Sequence, residues 1–255
     1  MLNRKKSIDH KTALVFGDIF QDLSDESFVL KSGSYLARAG LENSWFEEKR
    51  CLDAGCGAGI AADALSRIKG TRVYAVDFSK PCLALARKRL SNFGNCSLWE
   101  ASLLELPFKN DSFDFVNCNS VLHHLTNPLK ALSELSRVLS SSGWLFLGVY
   151  GAGGLANEYR INMGRFLAKT VPYSLMKKIL PPKQRAQILN YWYVPVRRPY
   201  REALIREMLA SCGFQNITRL SSGFYRKPVS YFEKIKLGPD GMYMHFLAQK
   251  RSTFV

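Results

Sequence analysis

Several things are missing from this chain, and each absence narrows what it can be. No apolar run approaches the ~18 residues that cross a bilayer. The stretch Ala13 to Phe16 behind Arg4, Lys5 and Lys6 is too short for the core of a secretory signal. A cytoplasmic protein is the expectation. The six cysteines, at 51, 56, 82, 96, 118 and 212, include no C-x-x-C pair. Without that spacing, a reduced compartment and no metal site are expected. No internal repeat or low-complexity segment appears. The most unusual absence is of negative charge: residues 160 to 201 hold ten Lys and Arg and not one Asp or Glu. That run contributes to a formal net charge of +15. It points to an anionic partner, whether a phosphorylated or carboxylated substrate, RNA or an acidic membrane surface, although a solvated face is the ordinary reading of a charge run.

What is present suits a folded α/β protein. The 255 residues are 47% hydrophobic and 22% charged, enough for one domain with elaborations and a sizeable core. Residues 51 to 59 read Cys-Leu-Asp-Ala-Gly-Cys-Gly-Ala-Gly. A short apolar run leads into three alternate glycines, Gly55, Gly57 and Gly59, and a helical pattern begins at Ile60. That is a strand, a tight turn and a helix start, where backbone without side chains lets a ligand come close. Strand 72 to 77 then ends in Asp77, 18 residues past Gly59. A nucleotide-binding βαβ unit carries its ribose-gripping acid at about this distance. The dinucleotide fingerprint G-x-G-x-x-G/A needs a small third residue, and Ile60 stands there instead.

Further along, strands are expected near 50–54, 96–100, 113–118, 144–149, 214–220 and 242–248. Helices are expected near 59–68, 79–90, 128–139 and 200–211. Phe113 to Cys118 is almost wholly apolar, as a parallel strand buried on both faces should be. The alternation predicts a doubly wound, Rossmann-like sheet with helices on both faces. Four parts follow: an N-terminal helical segment 1–49, a core 50–150, a basic helical cap 151–198 and a C-terminal part of the core 199–255. Phe16, Ile19, Phe20 and Leu23 form an apolar stripe that reads as core. Gly151, Gly153 and Gly154 form a joint before the cap. Gly55, Asp77, Ser102, Asn119 and Tyr150 all fall at carboxyl ends of predicted strands, where open sheets of this type bind ligands.

The D-x-G-x-G-x-G pattern of Asp53 to Gly59 resembles motif I of the class I S-adenosylmethionine (SAM)-dependent methyltransferases. Leu106-Pro107-Phe108, Asp111-Ser112 and Phe113-Asp114 resemble that superfamily's L-P-F-x-x-x-S-F-D pattern. Asn119 to Leu125 resembles the loop after it in the small-molecule enzymes. The resemblance covers 51 to 150 well and 199 to 250 in outline. It implies a seven-stranded sheet with the last strand antiparallel, and SAM as cofactor. It also implies that Asp53, Cys56 (through its backbone) and the glycines shape the methionine end. By the same resemblance Asp77 holds the ribose hydroxyls, Phe78 lies against the adenine, Ser102 and Leu103 meet the adenine edge, and Asn119 sits by the methionine amino group. Ser102 replaces the usual Asp, a weaker acceptor because it is neutral.

Methyl transfer is an in-line displacement, and a base is needed only when the acceptor must lose a proton. His123 and His124 are the candidate bases, with Tyr150 as a further group to orient the acceptor. Tyr191 and Tyr193, in the aromatic cluster around Trp192, are candidate acceptor contacts. Arg197 and Arg198 are candidate clamps for an anionic group. The expected function is methylation of a small-molecule or lipid-like acceptor, anionic in character, beneath the cap as a lid. The competing readings are an RNA or tRNA methyltransferase using 160–201 for phosphates, or a non-catalytic SAM-binding scaffold. Peripheral membrane contact through helices such as Tyr173 to Leu180 is a further expectation.

Overall fold

The computed structural model describes residues 2–221 and 240–252. Seven strands form one sheet in the order β3-β2-β1-β4-β5-β7-β6. Their ranges are β1 Arg50–Ala54, β2 Arg72–Asp77, β3 Cys96–Glu100, β4 Phe113–Asn119, β5 Leu139–Tyr150, β6 Phe214–Leu220 and β7 Tyr243–Lys250. The first five are parallel, and β7 runs antiparallel to both β5 and β6. The doubly wound expectation and its antiparallel last strand are both met. The strand order reverses at β1 and β4, and an open α/β sheet leaves a crevice at such a switch point.

Strand periodicity explains how the sheet is covered. In β4, Val116 and Cys118 face one core while Phe115 faces the other. One layer is built on α5 (Pro128–Val138) and α9 (Glu202–Ser211), which bury Leu132, Leu135, Ile205 and Leu209. The other is built on α3 (Ile60–Ser66) and α4 (Lys80–Arg89), with Leu65, Leu83 and Ala86 against Phe115 and Phe146. The helix starts are capped as the sequence signals. Ser79 accepts from Cys82 N at 3.4 Å and Asn127 from Lys130 N at 3.2 Å, each followed by a proline in the first turn.

β5 is longer than expected, because it begins at Leu139, which already pairs with Phe113 before Trp144. The N-terminal segment is helical, as α1 (Leu2–Gln21) and α2 (Asp25–Gly33) followed by two short 3-10 turns. The cap is three helices: α6 (Leu155–Leu167), α7 (Tyr173–Ile179) and α8 (Pro182–Tyr193). The joint before it is tied down. Gly151 N donates to Met242 O and Ala152 N to Tyr200 O.

The acid-free stretch finds its counter-charges elsewhere in the chain. Lys177 Nζ pairs with Asp18 on α1 and Asp22 in the turn after it, Arg185 also pairs with Asp22, and Tyr173 donates to Asp18. Arg197 forms a two-pronged pair with Glu158, with N–O distances of 2.8 and 2.9 Å. Arg165 donates to the carbonyls of Tyr191, Val194 and Pro195. Lys177 and Arg185 dock the cap on α1 and the turn after it, whereas Arg197 and Arg165 bond within the cap. A window of sequence cannot show that arrangement.

Candidate active site

A cavity of about 740 Å³ opens at the carboxyl ends of β1, β2 and β4. Its floor is the glycine turn. Gly55, Gly57 and Gly59 all have positive φ, the left-handed region that glycine enters without strain. Gly55 has a second reason: a Cβ there would lie 2.4 Å from Val121 Cγ2. The turn is bonded to the end of β2. Gly55 N and Cys56 N both donate to Val76 O, and Gly57 N donates to Asp77 Oδ2 at 2.8 Å. Asp77 Oδ1 accepts from Ser79 N at 2.7 Å. One carboxylate therefore fixes both the phosphate-type loop and the start of α4.

Beneath the floor lies a buried polar chain. Tyr35 donates to Asn117 Oδ1 at 2.9 Å, and Asn117 Nδ2 donates to Asp53 Oδ1 at 2.6 Å. Asp53 Oδ2 accepts from Ala62 N at 3.0 Å. Burial pushes the Asp53 carboxyl up to about 7, despite these donors. Burial also raises Asp77, against the backbone N–H groups of Ser79 and Gly57. The cavity thus holds two carboxylates whose charge is poorly solvated, which favours a ligand bringing positive charge and hydroxyl donors.

The sequence-derived residues fall into two groups. Asp53, Gly55, Cys56, Gly57, Asp77, Phe78, Ser102, Leu103, Asn119 and His124 line the cavity, while Gly59 caps α3 behind it. Phe78 is 41% exposed at the rim. Ser102 Oγ accepts from Leu104 N. Asn119 Oδ1 accepts from Tyr243 OH at 3.0 Å, and Gly148 on the adjacent strand leaves the space it occupies. The thiol of Cys56 is raised well above its usual range by burial, then by Asp53, so it is no nucleophile.

The second group sits behind the cavity wall. His123 is wholly buried and stacks on Tyr150 with centroids 3.7 Å apart. His123 Nδ1 accepts from Tyr150 N at 3.2 Å, so the neutral ring carries its proton on Nε2. Tyr150 OH accepts from Asn190 Nδ2 at 2.7 Å. Arg197 lies over the rings of Tyr150 and Tyr191. Tyr193 donates to Val171 O at 2.8 Å. Arg198 N donates to His123 O, and its guanidinium reaches Thr126 O. His123, Tyr150, Tyr191, Tyr193, Arg197 and Arg198 form the seam between core and cap, and none lines the cavity.

His124 belongs to both groups. Its Nδ1 lies 2.8 Å from Val196 O, in the segment leaving the cap. A carbonyl can only accept, so Nδ1 holds the proton and Nε2 holds the lone pair. Nε2 is buried, with no hydrogen-bond partner among the described residues. Burial lowers the ring to about 4, offset by the Val196 bond and assisted by Arg197. At neutral pH it is an uncharged base. Phe16 packs edge-on against it at 5.0 Å.

The remaining wall was not foreseen. Thr12, Ala13, Phe16 and Phe20 of α1 line the cavity. Ser79 Oγ donates to Ala13 O at 2.9 Å, holding α1 against α4. No lining residue among those described comes from 151–198. The cap is not the cover of this cavity; α1 is, and the cap braces α1. The signal was there in the Phe16–Phe20 spacing, which a core helix and a cavity wall share. Asn117, polar within an apolar strand, was the other legible clue.

Comparison with known proteins agrees with this geometry. Residues 52–147 match the family model of the methyltransferase domain. Demethylmenaquinone methyltransferase of Clavibacter sepedonicus is 38% identical over 95 residues, 37% of this chain and 38% of that protein. Ubiquinone biosynthesis O-methyltransferase of Nitrosomonas europaea is 26% identical over 148 residues, covering 55% and 61%. These matches span less than two thirds of either relative's length. The crystal structure of a SAM-dependent methyltransferase from Thermotoga maritima superposes with a TM-score of 0.59 at 19% identity, covering 93% of this chain and 99% of that one. Residues 52–147 thus resemble a methyltransferase domain, and the fold is the one seen in the class I SAM-dependent superfamily. SAM is the cofactor of that superfamily, and the residues here fit it: two poorly solvated carboxylates, a positive-φ glycine floor and an aromatic rim.

Proposed function

We propose that this protein transfers a methyl group from SAM to a small, flat acceptor that carries an ionisable hydroxyl, with His124 as general base. One observation carries the reading. His124 shares a cavity with the glycine turn and Asp77, and its Nε2 lone pair has no partner among the described residues. The bound cofactor supplies a methyl group activated by a positive sulfur. The protein's task is to bind, align and exclude water, which is worth ~7–11 kcal/mol when done well. Asp77 takes the ribose hydroxyls and Asp53 the ammonium end. Phe16 and Phe20 form an apolar wall for a ring. The acceptor ring displaces the edge of Phe16 from His124 and places its hydroxyl at Nε2. His124 removes the proton as the oxygen attacks. The named relatives act on menaquinone and ubiquinone precursors, which supports a flat, ring-containing acceptor.

The basic stretch supports neither an anionic acceptor in the cavity nor an RNA surface as strongly as its sequence suggests. Lys177, Arg185, Arg197 and Arg165 are occupied by internal partners. A lipid-borne acceptor has better support. Leu155, Tyr159, Met163, Phe166 and Leu167 make one exposed stripe along α6, and α7 adds Leu175 and Ile179. Lys169 and Lys178 lie beside them, exposed. Such a face suits an anionic bilayer.

Methyl-labelled SAM incubated with the protein and an extract of its source cells tests both statements. Label in the lipid or small-molecule fraction fits the proposal. Label in RNA overturns it, and no transfer to any fraction returns the scaffold reading. Co-sedimentation with vesicles rich in phosphatidylglycerol at low and high salt tests the surface. Absence of salt-sensitive binding removes it.

A further inference from the structure

The chain leaves the cap through Val194-Pro195-Val196. Pro195 stops α8, because its ring cannot continue a helix and it holds Val194 extended. A helix end leaves carbonyls without intrahelical donors. α8 has no basic residue in its own last turn to meet them. Arg165, on α6, meets them from the side. Its Nη1 donates to Tyr191 O and to Val194 O at 3.0 Å each, and its Nη2 to Pro195 O at 3.3 Å. The next carbonyl along the chain, Val196 O, is the one that accepts from His124 Nδ1 at 2.8 Å.

α6 is shaped for this contact. A Cβ on Gly164 would run into the indole of Trp192, so glycine there lets α8 pack directly on the α6 backbone. Glu158 stands seven residues before Arg165, about two turns, and so on the same face. It grips Arg197. Arg198 N donates to His123 O. The segment 194–198 is thus held by α6 at two points and bonded to the histidine turn at two.

We infer that Arg165 is a positioning residue for methyl transfer: by clamping the carbonyls of Tyr191, Val194 and Pro195 it aims Val196 O at His124 Nδ1, and so keeps the Nε2 lone pair available in the cavity. The inference rests on the reading of His124 as the base and extends it to a side chain that does not line the cavity. The guanidinium acts here by geometry. It offers five donors in one rigid fork, which an ammonium does not match. Its charge works in the other direction: together with Arg197 it disfavours an imidazolium at His124. Deleting the charge alone would make His124 a stronger base. Deleting the bonds frees Val196 O and lets the ring take either tautomer.

Two-bond proton–nitrogen spectra of the full chain, labelled with nitrogen-15 histidine and assigned with His124→Ala, read that tautomer at neutral pH. The wild type should show His124 in a single form with its proton on Nδ1. Arg165→Met should show both tautomers. With methyl-labelled SAM and the cell extract, its turnover should fall by up to about 10²-fold, the size of a misplaced reacting group, while SAM affinity by calorimetry stays within about twofold. Arg165→Lys should recover part of both losses. Arg206→Met removes another arginine–carbonyl bond, to Ile217 O at the sheet edge, and should lower the denaturant midpoint without moving the tautomer. An unchanged His124 signal in Arg165→Met overturns this inference alone, as does a change that Arg206→Met reproduces. Should Arg165→Met not fold, Arg165→Lys is read against the wild type by the same two measurements. A wild type with the His124 proton on Nε2, or full turnover in a mixed-tautomer variant, fails the base reading itself and takes this inference with it.

Discussion

The core and the cap handle charge in opposite ways. In the core, Asp53 and Asp77 lie at a cavity wall with backbone and amide donors but no ion-pair partner among the described residues, so their charge is held for something that arrives. In the cap, Lys177, Arg185 and Arg197 are met by Asp18, Asp22 and Glu158, so their charge is spent within the fold. A binding site keeps its charges under-compensated, whereas a docking seam compensates them. The sequence looks the other way round. Two isolated acids seem modest beside ten clustered cations, yet the acids face the ligand cavity.

The sharpest test of that contrast is Asp77→Ala. Removing the carboxylate frees Gly57 N and Ser79 N and deletes the ribose acceptor. SAM binding by calorimetry should be lost while the far-ultraviolet spectrum keeps its helix and sheet signal. Wild-type affinity in this variant would break the comparison outright. Next in size, His124→Ala should cut turnover by about 10²–10⁴-fold with little change in SAM affinity. His123→Ala should act through stability, since its ring is buried against Tyr150 rather than in the cavity. Equal kinetic losses with unchanged melting for both variants would dissolve the distinction between them.

Third is Glu158→Gln, which strands the nearly buried Arg197. It should cost about 3 kcal/mol of stability, read as a lower denaturant midpoint, with SAM affinity unaffected. A loss of cofactor binding instead would make the seam part of the site. The pH dependence comes fourth. Asp53 is raised to about 7 in the free protein, and its ionised form is the one that pairs with an ammonium. SAM affinity should therefore rise with pH up to about 7 and then level, with proton release on binding below that pH. His124, lowered to about 4, stays neutral from pH 5 upward and should add no step to the turnover number there. A proton taken up on binding would reverse the sign and sink the assignment. Smallest is Lys177→Ala, a half-exposed pair worth at most about 1 kcal/mol.

Much of the core was legible because its signals are local. The turn from Asp53 to Gly59, the caps Ser79 and Asn127, and the apolar Phe113–Cys118 each declare their structure within a few residues. The doubly wound sheet followed from that alternation, and its seven strands with the last antiparallel from the resemblance. What could not be read was anything decided by contacts distant in sequence. Phe16 and Phe20 have the spacing of any buried helix, and only the packing of α1 on α4 makes them a cavity wall. The order of preference between His123 and His124 depends on Tyr150 N and Val196 O, which lie 27 and 72 residues away. The basic run looked like a surface because its acids lie outside it, at Glu158 and at Asp18 and Asp22, some 160 residues earlier for the Lys177–Asp18 pair.

The bond from His124 to Val196 also has a consequence in time. The cofactor floor is complete once the chain has been made through Asp77, but the carbonyl that sets the histidine's tautomer arrives 119 residues later. At a synthesis rate of about 5–20 residues per second, the interval is roughly 6–24 s. Within it the rest of the cavity wall is made, through Lys130, and from then until Val196 the chain has the residues of a cofactor pocket without an oriented base.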